Sequence, residues 1–377
     1  MGLVIPPGCL QVEIPTKMQV SDGMNYAPVG KPSPVVARGE FKFGVVALDH
    51  GHIYGMTNGL LEAGADLKLV YDPDPAKIAA FTAKFPQVKV ARSEDEVLED
   101  SEIKLVAAAA IPCERGPLGC RVMKAGKDYF TDKTPFTSLA HLEEAKRVVK
   151  WSGKKYMVYY SERLHVECAM HAGTLIKQGA IGRVLNVMGL GPHRLNAKSR
   201  PAWFFERAKY GGILCDIGSH QIEQFLHFSG AEDATVTYAR AVNHNNPDYP
   251  ELEDFGEAML LADNGATNYF RVDWFTPDGL RTWGDGRTII TGTDGYIELR
   301  KYIDVARPGG GNRLFLVNGK VEQEFDLNGK VGYPYFGQLI LDCLYRTENA
   351  MTQAHAFKAA ELCLKAQEMA DRLRLKD

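Results

Sequence analysis

The segment Leu105-Val106-Ala107-Ala108-Ala109-Ala110-Ile111, stopped by Pro112, constrains the fold of this 377-residue chain more than any other stretch. An unbroken apolar run of strand length, without alternation, describes a strand buried on both faces, and such strands belong to parallel sheets covered by helices. The flanking sequence agrees. Phe41–Leu48 is a short apolar run followed by helical sequence to about Ala63, and Leu67–Tyr71 is a second strand before a helix through Phe81. After Pro112 come a helix, a strand at Asp128–Thr131, a further helix and a strand at Tyr156–Tyr160. In that last helix Glu143 precedes Arg147 by four residues, which places both on one helical face. Strand and helix alternating in this way predict a doubly wound α/β domain over residues 41–162.

Beyond Arg163 the pattern changes to period-two alternation with hairpin signals. Asn264-Gly265 separates Ala258–Ala262 from Thr267–Trp274, and Asn318-Gly319 separates Leu314–Val317 from Val321–Phe325. Such turns join antiparallel strands, so residues 163–350 are expected to form an α+β domain with a large, mostly antiparallel open sheet. Phe255, Met259, Tyr269 and Trp274 make a fully wet outer face implausible, and a homodimer or homotetramer through that sheet is the expectation. Residues 351–377 read as a final helix packing back on the body, and the Pro/Gly-rich residues 1–40 as an extension.

Composition narrows the partners. A formal net charge of −3 provides no electrostatic footprint for nucleic acid, which leaves a small molecule. The seven cysteines are odd in number and lack CxxC spacing, arguing against a disulfide framework and a zinc knuckle alike. No basic segment leads into a long apolar run and no membrane-length apolar stretch occurs, so a cytoplasmic location is expected.

Three stretches carry chemistry. Gly211-Gly212-Ile213-Leu214-Cys215-Asp216-Ile217-Gly218-Ser219-His220 reads as a glycine turn opening a helix, with Asp216 and His220 four apart on one face. A carboxylate beside an imidazole favours titration near neutral pH, as a general acid/base requires. Taken singly, Asp216 also reads as a helix cap and His220 as a structural histidine. The first strand–helix turn is Ala47-Leu48-Asp49-His50-Gly51-His52, with Ala47, Asp49 and His52 where a dinucleotide fingerprint has glycines. Asp72, at the end of the second strand, is placed to hold a ribose hydroxyl and repel a 2′-phosphate, which favours NAD over NADP; starting a turn before Pro73 is its plainer reading. Lys133 follows the strand that ends near Thr131, at the active edge of a parallel sheet. No metal is expected, since His50 and His52 have no third ligand at recognisable spacing.

Together these residues resemble the glucose-fructose oxidoreductase and inositol dehydrogenase family, Gfo/Idh/MocA. The GG-x-x-x-D-x-G-x-H pattern is met by Gly211, Gly212, Asp216, Gly218 and His220, and the family's Glu-Lys-Pro motif looks like Asp132-Lys133 with Thr134 in place of proline. The resemblance implies a Rossmann domain, a C-terminal domain with an open sheet, and NAD(P)-linked oxidation of a sugar or polyol hydroxyl. It makes His220 the general base, Lys133 the group that positions the hydroxyl, and Asp216 a substrate ligand or a tuner of His220. The cofactor is expected along Leu48, Asp49, His50, Asp72, Ala110, Pro112, Asp132 and Lys133. Trp203 resembles a substrate-loop tryptophan, and Arg163 and His193 are further substrate candidates. Two alternatives stay open: an NAD-dependent glycoside hydrolase or lyase working by transient oxidation, and a sugar sensor that has lost turnover.

Overall fold

The computed structural model describes residues 32–307 and 310–374. Six strands, β1 (Lys42–Val46), β2 (Asp66–Tyr71), β3 (Lys89–Val90), β4 (Ile103–Ala108), β5 (Asp128–Asp132) and β6 (Tyr156–Tyr159), form a parallel sheet in the order β3-β2-β1-β4-β5-β6. The reversal of direction between β1 and β4 is the switch point where such sheets bind ligands. Val45 pairs with Val70 on one side and Ala107 on the other, and all three are buried. The apolar run of β4 is therefore central, as its lack of alternation predicts.

The crossover helices are α1 (His52–Glu62), α2 (Pro75–Lys84), α3 (Glu94–Glu99), α4 (Pro112–Lys124) and α5 (Leu139–Ser152). Local chemistry sets their ends. Asp74 caps α2 by accepting from Ala76 N–H, with Pro75 in the first turn, and Ser138 caps α5, which Gly153 closes in the left-handed region.

The chain then runs through two helices, α6 (Ser161–Leu164) and α7 (Glu167–Lys177), into β7 (Val184–Pro192). Three more helices follow: α8 (Arg207–Tyr210), α9 (Ile213–Asp216) and α10 (Gly218–Ser229). The remaining strands are β8 (Ala234–Val242), β9 (Phe255–Ala262), β10 (Thr267–Asp273), β11 (Arg287–Gly292), β12 (Gly295–Arg300), β13 (Arg313–Asn318) and β14 (Glu322–Asp326). The second sheet has the order β14-β13-β12-β11-β7-β10-β9-β8, antiparallel except where β7 meets β10. Both expected hairpins are present, β9–β10 across Asn264-Gly265 and β13–β14 across Asn318-Gly319. One face carries α10; the other leaves Met259, Leu261 and Tyr296 more than two-fifths exposed. Trp274, expected on that outer face, is instead buried.

Two helices return to the first domain. In α11 (Pro334–Tyr345) the ring of Phe336 lies against Gly59 of α1, and Tyr335 Oη donates to Val158 O. Residues 334–345, expected with the second domain, thus pack on the first. The last helix, α12 (Gln353–Arg374), touches α5 and β6 on one side and α10 and β8 on the other. Most of the expected extension, residues 1–31, lies outside the described residues; Val35 N–H donates to Ala63 O and anchors the segment before β1. Among the described residues no helix is long and apolar enough to cross a membrane.

Candidate active site

Lys133 leaves the end of β5 with its side chain almost wholly buried, which requires a partner for its charge. Its Nζ donates to Asp216 Oδ1 at 2.5 Å, so an ion pair joins the two domains. Arg115, in the second turn of α4, braces this strand end. Its Nε donates to Ala110 O at 2.7 Å, Nη1 donates to the carbonyls of Lys133 and Thr134, and Nη2 reaches Asp132 Oδ2 at 3.3 Å. The Lys133–Thr134 peptide bond is cis.

The glycine pair on the other side of the cleft has a geometric reason. Gly211 and Gly212 have φ of 89° and 95°, and a Cβ on Gly212 would stand 2.3 Å from Gln367 Oε1 of α12. The turn delivers two short helices joined at Ile217, itself in the right-handed helical region: Asp216 ends α9, and His220 lies in the first turn of α10. Asp216 is therefore no helix cap, and it is bonded to Lys133, not to His220. Burial opposes its ionisation, but Lys133 outweighs this and holds the carboxyl below its ordinary range. His220 is buried, and its Nδ1 has no hydrogen-bond partner among the described residues. Desolvation pushes its pKa down to about 3, so the expectation of titration near neutrality is corrected: His220 is a neutral imidazole at pH 7.

Both groups open into a cleft at the carboxyl end of the parallel sheet, walled further by His50, His193, Phe204 and Trp283. His193 lines it as expected, held by Nδ1 on Gly191 O at 3.1 Å, with burial lowering its pKa to about 4. Trp203 stands instead in a small adjoining pocket with Pro112, its ring 6.4 Å from that of His50; Trp274 and Trp283 face the main cavity. Arg163 is not brought to the cavity. Its guanidinium is spent on buried Glu223, Nε donating to the two carboxylate oxygens at 2.8 and 3.0 Å. Its neighbour Glu162, which the sequence reading passed over, does reach the cavity.

The first strand–helix turn departs from expectation in detail. Ala47 adopts φ 54°, the conformation that a fingerprint glycine supplies, in an L-residue. Asp49 is paired with Lys77 at 2.6 Å, which offsets its charge near a pyrophosphate. Asp72 accepts from Leu48 N–H at 2.7 Å and Asp74 N–H at 2.9 Å, and its carboxylate is buried. It closes the loop rather than standing open to a ribose. Asp132 is likewise fully buried, with its oxygens 3.0 and 2.9 Å from Nδ1 of His50 and of His52. The expectation of no third group beside these histidines is thereby corrected, since Asp132 brings three ligand-type atoms within 4.8 Å. The Arg115 guanidinium already balances that carboxylate, and a divalent cation there would face it. Burial lowers the pKa of His50 to about 3, keeping it uncharged.

A dinucleotide fits this edge on the chemistry of its donors. The N-cap residue of α1 is Gly51, which has no side chain to offer, and among the described residues only His50 Nδ1 reaches the first turn, accepting from His52 N–H at 3.4 Å, so the positive end of α1 lies at the close of β1, where a phosphate would be favoured.

Two family models match the chain: an oxidoreductase family with an NAD-binding Rossmann fold over residues 44–160, and the GFO/IDH/MocA C-terminal domain over 170–298. A solved structure from Erwinia carotovora atroseptica SCRI1043, named only as a candidate oxidoreductase, is 51% identical with a TM-score of 0.86, covering 88% of this chain and 99% of that one. The chain belongs to the Gfo/Idh/MocA oxidoreductase family. Curated relatives include the D-xylose dehydrogenase of Paenarthrobacter nicotinovorans, 25% identical over 54% of this chain and 52% of its own. Another is the NADP-dependent scyllo-inositol 2-dehydrogenase IolW of Bacillus subtilis, 24% identical over 48% of this chain and 51% of its own. The chain thus matches about half the length of these curated relatives.

Proposed function

We propose that this Gfo/Idh/MocA oxidoreductase transfers hydride between a hydroxyl-bearing carbon of a sugar or cyclic polyol and NAD. The observation that carries the reading is the Lys133–Asp216 pair, contributed by both domains, in one cavity with the neutral imidazole of His220. Bound along β1 and α1, the dinucleotide supplies the hydride acceptor. His220 accepts the substrate hydroxyl proton, and Lys133 orients that oxygen and stabilises negative charge developing on it. Asp216 holds the ammonium of Lys133 in place and shares a neighbouring hydroxyl. Phe204, Trp274 and Trp283 supply apolar faces for a sugar ring. The choice of NAD is supported by the acidic end of β2, Asp72 and Asp74, whose negative charge disfavours a 2′-phosphate although Asp72 itself closes the loop. We further propose that the exposed face of the second sheet pairs two copies of the chain.

The test is calorimetric titration of the cofactor-free protein with NAD and NADP, followed by a screen with D-xylose and scyllo-inositol read by absorbance of the reduced cofactor. Binding of NAD well above NADP and stoichiometric NADH formation are expected. Failure to bind either nucleotide would overturn the reading.

A further inference from the structure

Glu162 is a carboxylate where a sugar cavity has an unfilled acceptor. It sits in α6, directly after β6, at the carboxyl end of the parallel sheet, and is 2% exposed. Its two oxygens differ. Oε2 accepts from Lys301 Nζ at 2.9 Å and from Gln221 Nε2 at 3.0 Å, which fixes the carboxylate from below. Lys301 is itself buried, and Gln221 follows His220 on α10, lying over β7 where Gly189 has no side chain to displace it. Oε1 has no hydrogen-bond partner among the described residues, and the imidazole Nε2 of His193 stands 3.8 Å from it. Both Glu162 and His193 line the cavity that holds Lys133 and His220.

A buried carboxylate oxygen without a donor is costly, and one held on its other oxygen by two donors cannot turn away to find one. The cost is removed when a donor arrives. Burial disfavours its charged form, yet Lys301 outweighs this and holds the carboxyl at about 2, so it is an acceptor at neutral pH.

We infer that Glu162 Oε1 and His193 form a second substrate subsite that accepts a hydroxyl of the polyol next to the one being oxidised. The inference deepens the proposed function and rests on its cavity. It makes the substrate a vicinal diol: one hydroxyl at Lys133 and His220, the other donating to Glu162. It also selects against an anionic group at this end, because a substrate carboxylate or phosphate would face Glu162 charge to charge. Glu162 acts as a binding and positioning residue, with no proton transferred to it.

The test uses the full chain with NADH bound, so that binding is read without turnover. The probes are D-xylose, scyllo-inositol and monodeoxy analogues of each, monitored by the fluorescence of Trp274 and Trp283, which line the cavity. Wild type is expected to bind a parent polyol, and one deoxy analogue to bind about tenfold or more weakly, the usual effect of a lost bond to a charged acceptor. In Glu162→Gln, which keeps the volume, affinity for the parent falls by a similar factor while that one analogue binds as it does to wild type. The paired variant Glu162→Gln with Lys301→Met removes both buried charges and must show the same pattern if the first variant is unstable. If the variants weaken every analogue by the same factor, or if no polyol perturbs the tryptophans, the subsite is overturned. If a polyol binds with this pattern but is never oxidised by NAD, the dehydrogenase reading fails and the subsite stands.

Discussion

Replacing Arg163 by methionine separates a structural role from a substrate role. In the folded chain the guanidinium donates three hydrogen bonds to Glu223, whose carboxylate is fully buried, and only His355 Nε2, at 3.1 Å, would remain beside it. Removing one member of a buried pair costs about 3–5 kcal/mol, and the surviving histidine argues for the lower end, about 3 kcal/mol. At roughly 2–4 °C per kcal/mol for a large domain, Arg163→Met should melt about 6–12 °C below wild type in a thermal scan. The deficit also depends on pH. Burial opposes ionisation of Glu223, but Arg163 and His355 hold its pKa far below the ordinary carboxylate value, so its stabilising effect is complete above about pH 4.3 and is lost only as pH falls through the lower folded value. Without Arg163, burial raises the folded value instead, and the gap between variant and wild type should narrow as pH is lowered from 7 to about 5. The double variant Arg163→Met with Glu223→Gln should regain much of the loss. A single variant that melts within about 1 °C of wild type yet binds substrate poorly would refute this reasoning and return Arg163 to the substrate site.

Lys133→Met and His220→Ala should each lower kcat by about 10²–10⁴-fold while NADH affinity, followed by fluorescence titration, changes little. Because burial holds His220 at about 3 and His193 at about 4, both stay neutral as pH falls, and kcat/KM should show no acid limb between about pH 5.5 and 8; a limb near pH 6.5 would contradict the burial argument. Ala47→Gly removes a left-handed L-residue worth about 1–2 kcal/mol of strain, partly offset by glycine entropy, and should raise the melting temperature slightly; a fall would show that the turn does not need that conformation. Glutamate at both Met259 and Leu261 should convert any dimer to monomer in sedimentation, and a wild-type monomer would refute pairing through that face.

The first domain was legible because its strands announce themselves: the apolar run of β4 has no polar face to hide, and only a sheet covered on both sides accommodates it. The hairpins were legible for a similarly local reason, Asn-Gly at the turns. What the sequence concealed is pairing across distance. Spacing placed Asp216 beside His220, whereas its carboxylate is bonded to Lys133, eighty-three residues earlier. Arg163 and Glu162 are adjacent, and nothing in their order tells which one faces the cavity; α6 sends the cation to Glu223 and the acid to the site. Asp132 as companion to His50 and His52, and Arg115 as brace of the Lys133 strand end, are likewise products of strand order. A cation one turn into the helix after a buried strand was the available signal for Arg115. The absent glycine at Ala47 was visible, but that the chain keeps the glycine conformation there was not.

The return of α11 and α12 bears on how the polypeptide is made. Phe336 seals the face of α1 at Gly59, Gln353 pairs with both backbone groups of Tyr156, and Tyr160 Oη donates to Ala356 O. The nucleotide-binding half, although synthesised before them, therefore waits for the residues from Pro334 onward before its outer surface is closed. On the ribosome its six-stranded sheet is complete by Tyr159, but the apolar surface beneath α11 and α12 stays open until the residues from Pro334 onward emerge, so a chain truncated before α11 is expected to expose it.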